Sequence, residues 1–448
     1  MSKCILHFGM HKTGSTSIQK SLWRNLDDPA FHYVTFGEPN SSGKIATAFR
    51  NNPENDHYSK KRALTKKQVN QRKAVYLNKL NDELKAAGNR TMILSSELIS
   101  RPGFQYDELA RLCEFIVSRG HPIMAVGYIR SPKSFMESDF QQRVKGGGQK
   151  NFMLDGLYPE YRLRFEKFEQ LIGRDNIHYW KFNPESFPNH CVVQDFCTRT
   201  GVSLRSAGII KANDGLSLPA LALLYSYRKL GPGYGSGPGA VADNHRLFNY
   251  LRKLPGPKLR FHSSLVEPII DQHLDDIKWM EDRLGDSLEE SLTKDDHQAI
   301  SSEQEIFSHL PEATQWLVKQ LGSEYKNRWN KEITPQQAAE WMHALRLKLA
   351  GHDLNTGQKT IQTNRIDLPT IVDRIKSKDA RVLDGVSDKQ AKSIVSEVLS
   401  IVSNHVDAMQ EGLLRVNGLG SFRIKNPPPG SLRAKKGLKP IIFRPTNR

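Results

Sequence analysis

The sequence has few cysteines and no long apolar segment. Its 448 residues include four cysteines, and none of them stands at the spacing that metal ligands require. We therefore expect free buried thiols, a cytoplasmic location and no metal site. No apolar run has the length of a membrane span, and the first residues lack the apolar core of a secretory signal. With 38% hydrophobic and 25% charged residues, the composition excludes a fully disordered chain.

Acidic residues are missing from the C-terminal end. Residues 412–448 contain nine Lys or Arg and no Asp or Glu, so they carry about half of the net charge of +17. Positive charge concentrated in one short segment predicts a polyanionic partner for it. The alternative is a disordered basic tail. The length of the chain predicts two or more domains.

Strand and helix patterns alternate over the first part of the chain. Short apolar runs that fit buried parallel strands occur at 3–10, 91–95, 123–129 and 176–181, with helical patterns at 17–26, 66–87, 106–119 and 161–172. This alternation predicts an α/β fold with a doubly wound parallel sheet and a site at the carboxyl ends of its strands. A helix at 267–284 is expected to close this domain, 1–287. A helical connector and linker, 288–364, is expected to follow.

The most specific motif is GMHKTGSTS at residues 9–17, here called the phosphate loop, between the first predicted strand and helix. Backbone N–H groups of such a loop, with the positive end of the helix, form a cradle for phosphate oxygens. Its two glycines have the spacing of a Walker A loop, but Lys12 precedes the second glycine instead of following it. A lysine there can reach the bridging oxygen of a bound phosphosulfate. Another P-loop enzyme, such as a nucleotide kinase, is the alternative.

HKTGSTS resembles the 5′-phosphosulfate loop of sulfotransferases that use 3′-phosphoadenosine 5′-phosphosulfate (PAPS). After the strand at 123–129 come Arg130, Pro132 and Ser138, in the order typical of that family. The resemblance covers about residues 1–287 and implies a P-loop-type fold, PAPS as the sulfate donor, PAP as the product and no metal. It implies that Arg130 and Ser138 bind the 3′-phosphate. The residues implied to bind the donor are His11, Lys12, Thr13, Gly14, Ser15, Thr16, Ser17, Arg130 and Ser138.

The acceptor side of the reaction requires a group that takes a proton from the attacking hydroxyl or amine. Family members use His or Glu, and Glu97, at the end of the strand pattern at 91–95, is the first candidate. Its alternative role is to cap a helix that follows. His11 is a second candidate, or it supports the loop backbone. Together with Glu97, Lys12 and Ser138 are the expected catalytic residues. No motif indicates the acceptor, for which a carbohydrate is one candidate.

The C-terminal part has a different pattern. Residues 368–378 and 387–409 predict two helices, the second with an apolar face at 391, 394, 395, 398, 402 and 406. Strand patterns at 412–416 and 420–425 flank Asn417-Gly418, a strong hairpin signal. These elements, with GLLRVNGLGSFRIK and the later IIFRP, resemble the HU/IHF family of DNA-binding proteins over residues 365–448.

That second resemblance implies a homodimer whose β-arms bind the minor groove of double-stranded DNA. The stretch between Phe422 and Phe443 is shorter than a typical arm. Non-specific, salt-dependent binding is therefore expected before strong bending, and a module that only dimerises is the alternative. The residues that fit phosphate contacts are Arg423, Lys425, Arg433, Lys435, Lys436, Lys439 and Arg444.

Taken together, the two resemblances imply a cytoplasmic PAPS-dependent sulfotransferase with a DNA-binding or dimerising C-terminal domain. A non-enzymatic alternative is a nucleoid-associated protein whose N-terminal domain only senses PAPS or PAP.

Overall fold

The computed structural model describes residues 3–205, 208–211, 215–235, 237–293, 296–328, 333–351, 368–378, 380–409, 411–416, 420–424 and 441–445. The chain divides into two compact units, Met1–Gly357 and Gln358–Arg448, and each is described by itself. None of the described helices has the length and apolar character needed to cross a membrane.

A sheet of five parallel strands forms the centre of the first unit. The strands are β1 (Cys4–His7), β2 (Phe31–Tyr33), β3 (Thr91–Ser95), β4 (Ile123–Ile129) and β5 (Ile177–Lys181). Their order across the sheet is β2-β3-β1-β4-β5, and Leu6 of β1 lies opposite Leu94 of β3 and Ala125 of β4. The predicted α/β class is confirmed.

The described helices of this unit flank the sheet or follow it in the chain. Capping boxes fix the start of several, as where the Thr65 and Gln68 side chains bond each other's backbone N–H groups. In chain order the helices are α1 (Ser15–Asn25), α2 (Ser42–Phe49), α3 (His57–Lys61), α4 (Lys66–Ala87), α5 (Tyr106–Val117), α6 (Pro132–Gly146), α7 (Tyr161–Ile172), α8 (Val192–Thr200), α9 (Leu218–Leu230), α10 (Gly237–Leu251), α11 (Ser263–Asp271), α12 (Leu274–Leu284), α13 (Glu303–Ser308), α14 (Leu310–Leu321), α15 (Ser323–Arg328) and α16 (Pro335–Leu349).

Both faces of the sheet are buried, which explains why its strands are apolar runs and not alternating patterns. Leu6 belongs to the larger core, on the side of α5 and α7, while its neighbour Ile5 belongs to a smaller core with Ile18 of α1 and Phe196 of α8. The chain leaves β1 toward β2 and β3 on one side and later returns to β4 on the other. The carboxyl end of β1 is therefore the switch point of the sheet, where ligands bind in open α/β folds.

The helix predicted at 267–284 is two helices, α11 and α12, because His273 leaves helical geometry with φ −124° and ψ 20°. Part of the stretch predicted as a connector packs within the first unit. In particular, the Tyr227 hydroxyl of α9 lies 3.0 Å from Nδ1 of His343 in α16, and Lys229 pairs with Glu303 of α13 at 2.6 Å. Residues 352–364 of that stretch lie outside the described residues.

The second unit contains two helices, α17 (Leu368–Lys378) and α18 (Asp388–Ala408), and an antiparallel sheet ordered β6-β7-β8. Its strands are β6 (Gly412–Val416), β7 (Gly420–Ile424) and β8 (Ile441–Pro445). The predicted turn at 417–418 lies outside the described residues. The apolar face predicted for α18 divides in two: Ala391 and Val406 are buried, whereas Ile394 and Val398 are 53% and 54% exposed.

Candidate active site

Hydrogen bonds fix the phosphate loop beside β4. The N–H groups of Phe8 and Met10 donate to the carbonyls of Val126 and Tyr128 at 3.0 and 3.2 Å. Inside the loop, the Thr13 hydroxyl donates a hydrogen bond to the Met10 carbonyl at 2.7 Å. Thr13, one of the residues predicted to bind PAPS, therefore already uses its proton within the loop. The backbone of the loop is thus held in place by the central strands of the sheet.

The end of the loop requires glycine. Gly14 has a φ of 79°, and a Cβ atom there would lie 2.4 Å from Cγ1 of Val192 in α8. Gly14 also caps α1, since its carbonyl accepts the N–H of Ser17 at 2.8 Å. Close contact with α8 therefore sets the direction in which α1 leaves the loop.

Free hydrogen-bond donors collect where α1 begins. The N–H groups of Ser15 and Thr16 belong to the first turn, which has no helical carbonyl to bond. The Ser15 hydroxyl is buried and has no hydrogen-bond partner among the described residues. Donors of this kind at a helix N-terminus suit an anion.

Arg130 leaves the end of β4 and contacts the phosphate loop. Its Nη1 donates to the Lys12 carbonyl at 3.0 Å, and its Nε donates to the Ser134 hydroxyl at 3.1 Å. Ser138 lies one turn further along α6 and is half-buried. The two parts of the predicted donor site are the phosphate loop after β1 and the pair Arg130 and Ser138 after β4. They therefore follow neighbouring strands at the same end of the sheet.

A first cavity of about 350 Å³ opens beside the loop. Of the described residues that line it, Glu97 is the only carboxylate, while neither Arg130 nor Ser138 is among them. His11, Lys12, Gly14, Ser15 and Thr16 do line it, as predicted donor-site residues. The remaining lining residues are Lys61, Gln142, Lys145, Gly146, Tyr234, His245, Phe248, Asn249 and Arg252.

Lys12 and Lys145 lie close together in this cavity. Burial, together with the nearby positive charges of Lys12 and Arg252, lowers the pKa of Lys145 to about 6. Burial also lowers the pKa of Lys12, and it lowers that of Lys61 to about 8. Grouped cations that have lost water are stabilised by a bound anion. The first cavity therefore fits a ligand with several negative charges.

Glu97 lies between the first cavity and a second one of about 240 Å³. No described group donates a hydrogen bond to its carboxylate. Burial raises its pKa, although the nearby Arg101 and Lys12 oppose that shift. No helix starts after Glu97, where the chain makes a turn, so the alternative role as a helix cap is wrong. Its position and raised pKa suit a group that accepts a proton.

His11 is held by Arg101, whose Nε donates to Nε2 of His11 at 2.8 Å. Burial lowers the pKa of His11 well below its ordinary value, and the charge of Arg101 adds to this effect. The ring is therefore neutral, and the nitrogen that a base would use already accepts a hydrogen bond. His11 orients Arg101 next to the loop.

A carboxylate lies at the N-terminus of α6, close to Arg130. The N–H of Ser134 donates to the two oxygens of Glu290 at 3.2 and 3.4 Å. Burial raises the pKa of Glu290, and the neighbouring Glu137 raises it further. No motif predicts this contact, because Glu290 comes from a distant, irregular segment.

Several residues that line the first cavity likewise have no signal in the sequence. Lys61, His245 and Arg252 come from or next to helices α3 and α10, where an isolated charge is usually solvent-exposed. Lys145 has a weak sequence signal. It follows Ser138, a predicted site residue, by two helical turns, so the two residues share one face of α6.

Two of the predicted DNA contacts fall on described strands. Arg423 of β7 is exposed, and the backbone of Arg444 in β8 is paired with Ser421. The other predicted contacts lie outside the described residues: Lys425, Arg433, Lys435, Lys436 and Lys439.

Within the described part of the chain, no three His, Cys, Asp or Glu side chains are grouped to hold a metal ion. No protein-family model matches the chain, and the comparisons with curated proteins and with solved structures give no match.

Proposed function

We propose that the first unit is a P-loop-type sulfotransferase that moves the sulfuryl group of PAPS to a hydroxyl or amine of an acceptor. The observation that carries this proposal is the first cavity, in which unpartnered donors of the phosphate loop face several cations and one carboxylate. A nucleotide with phosphate groups at two positions and a sulfate matches that balance of charge.

The residues of the first cavity fit the 5′ end of PAPS, whereas Arg130 and Ser138, proposed for the 3′ end, lie outside its lining. The first turn of α1 and the Ser15 hydroxyl would hold the 5′-phosphosulfate, because they supply donors without partners. Arg130 and Ser138 would hold the 3′-phosphate, and the Glu290 carboxylate beside Arg130 would have to give way to it.

Two side chains would serve the transfer. When bound, PAPS would supply an activated sulfuryl group: its S–O bond to the nucleotide would break with the electron pair leaving on PAP, while a bond from sulfur to the acceptor oxygen or nitrogen would form. Lys12 would stabilise the charge that collects on the departing oxygen. Glu97 would take the proton of the acceptor, as its raised pKa favours.

The first test is nucleotide binding by the full-length protein. PAP should raise the melting temperature, and ATP, which has no 3′-phosphate, should do much less. Lys12→Met should reduce the PAP shift, whereas Lys67→Met on the exposed surface of α4 is the matched control. Absence of a PAP shift in the unchanged protein would contradict the proposal.

The second readout is transfer of label from sulfur-labelled PAPS to components of a cell extract. Glu97→Gln should keep the PAP shift and lose about two orders of magnitude in transfer rate, the usual contribution of a general base. Binding of PAP without transfer by the unchanged protein would instead favour the alternative of a PAP-sensing domain.

We propose further that the second unit is an HU/IHF-like module that dimerises and binds duplex DNA. Support comes from its two helices with an antiparallel sheet and from the exposed apolar residues of α18. Duplex binding by the full chain should weaken steeply as salt rises. Arg423→Gln should reduce the salt slope by about 1, and Lys389→Gln at the start of α18 is the control. Salt-insensitive association would contradict DNA binding.

A further inference from the structure

We infer that the acceptor is an acidic carbohydrate, bound in the second cavity with the reacting hydroxyl directed at Glu97. This inference rests on the proposed sulfotransferase activity. It deepens it by naming the substrate class, which no motif of the sequence indicates.

The two cavities adjoin and share four lining residues: Lys61, Glu97, Tyr234 and His245. The first contains the phosphate loop, so the second is the side from which an acceptor can approach. Glu97 lies at their boundary. An acceptor in the second cavity therefore presents a hydroxyl to the base and to the donor at once.

Positive charge dominates the second cavity. Lys61, Arg62 and Arg101 line it, and no described carboxylate lies within ion-pair distance of any of them. Asp56 also lines it, but its oxygens already accept from the Tyr58 N–H at 2.8 Å and pair with Arg50 at 3.1 Å. Arg62 and Arg101 do not line the first cavity, and Glu97 is the one further carboxylate among the described lining residues, so an acceptor with a negative charge improves the balance.

Charged and polar side chains outnumber aliphatic ones in the lining, which also includes the rings of two tyrosines. Its only aliphatic side chains among the described residues are Ala46, Leu98 and Val241. Arg62 lies 3.7 Å from the ring centre of Tyr58, and Lys61 lies 3.9 Å from that of Tyr234. A neutral phenol or steroid would leave Lys61, Arg62 and Arg101 without an opposite charge. A hydroxyl-rich molecule with a negative charge fits this cavity better.

Three oligosaccharides test the inference with the full-length protein and labelled PAPS. They are one that contains uronic acid, the same one after its carboxylates are reduced to alcohols, and a neutral-backbone oligosaccharide that already carries sulfate. Label should enter the first or the third, which distinguishes a carboxylate from a sulfate as the recognised group. The value of kcat/KM for the reduced form should be lower by about tenfold or more, the effect of losing one charge-assisted hydrogen bond.

A matched pair of variants locates the contact. Arg62→Gln should raise KM for the acidic oligosaccharide about tenfold while the PAP melting shift is kept. Lys60→Gln removes an equal charge from α3 outside both cavities and should leave KM unchanged.

Equal labelling of the reduced oligosaccharide, preference for a phenol, or no labelled oligosaccharide despite PAP binding would each overturn the inference and leave donor binding intact. Loss of PAP binding in the unchanged protein would instead be the failure of the proposed function.

Discussion

At the scale of single residues, Lys145 lies in α6 among Lys12, Arg252 and Lys258, with Gln141 accepting from its amine at 3.2 Å. Its pKa of about 6 leaves the amine largely neutral at pH 7. A bound polyanion favours the charged form and raises that pKa. At a pH between the Lys145 pKa of the free protein and that of the complex, binding takes up a proton. Nucleotide affinity therefore falls as the pH rises through this range.

We therefore expect PAP to bind more tightly at pH 6 than at pH 8, with proton uptake at pH 7. Isothermal titration calorimetry in two buffers of different ionisation enthalpy measures that uptake. Lys145→Gln should remove the part that the lysine contributes and leave the part due to the nucleotide's own phosphate. Identical uptake in the variant would show that Lys145 does not contact the bound charge.

Single residues also show what the sequence could predict. Lys12 and Glu97 were found because each follows a strand pattern at a place where parallel strands end together. Lys61 and Arg252 were missed, since a charged residue in or next to a helix has the same pattern whether it faces water or a cleft. Only the tertiary packing of α3 and α10 brings them to the loop.

At the scale of elements, the N-terminus of α6 holds the Glu290 carboxylate at the place proposed for the 3′-phosphate. Removing that negative charge should favour a bound phosphate beside Arg130. We expect Glu290→Gln to tighten PAP binding about fivefold, which corresponds to ~1 kcal/mol, the usual size of one charge at a helix end.

A fluorescence or calorimetric titration measures this change. Glu289→Gln is the matched control, because that neighbouring carboxylate is exposed and makes no contact with α6 among those described. Weaker binding by Glu290→Gln would mean that the carboxylate supports the site and does not compete with the nucleotide.

The strands were predictable because an apolar run of the right length in an α/β pattern has few other interpretations. The packing partners of helices were not. Helix α9 is buried along nearly its whole length, yet its pattern does not show that α13 and α16, far along the chain, cover it. The break at His273 was missed because apolar residues continue on both sides of it.

At the scale of the whole molecule, the exposed apolar residues of α18 predict association of two chains. Ile394, Val398 and Ile401 repeat at helical spacing and are about half exposed. We expect the full-length protein to be a dimer in solution, as light scattering after size-exclusion chromatography can measure.

The double change Ile394→Asp and Val398→Asp should give a monomer, because it places two charges in the interface. Val382→Asp, at an exposed position outside α18, is the control. The PAP melting shift should survive in both, which separates dissociation from unfolding. A dimer that persists in the double variant would place the contact elsewhere.

The contact between Gly14 and Val192 links the loop to a much later part of the chain. During synthesis the N-terminal segments emerge first, and the strand and helix on either side of the loop are complete long before α8. Gly14 lacks its contact with Val192 until α8 folds against the loop. A nascent chain therefore acquires its anion cradle only when roughly the first half of the protein has left the ribosome.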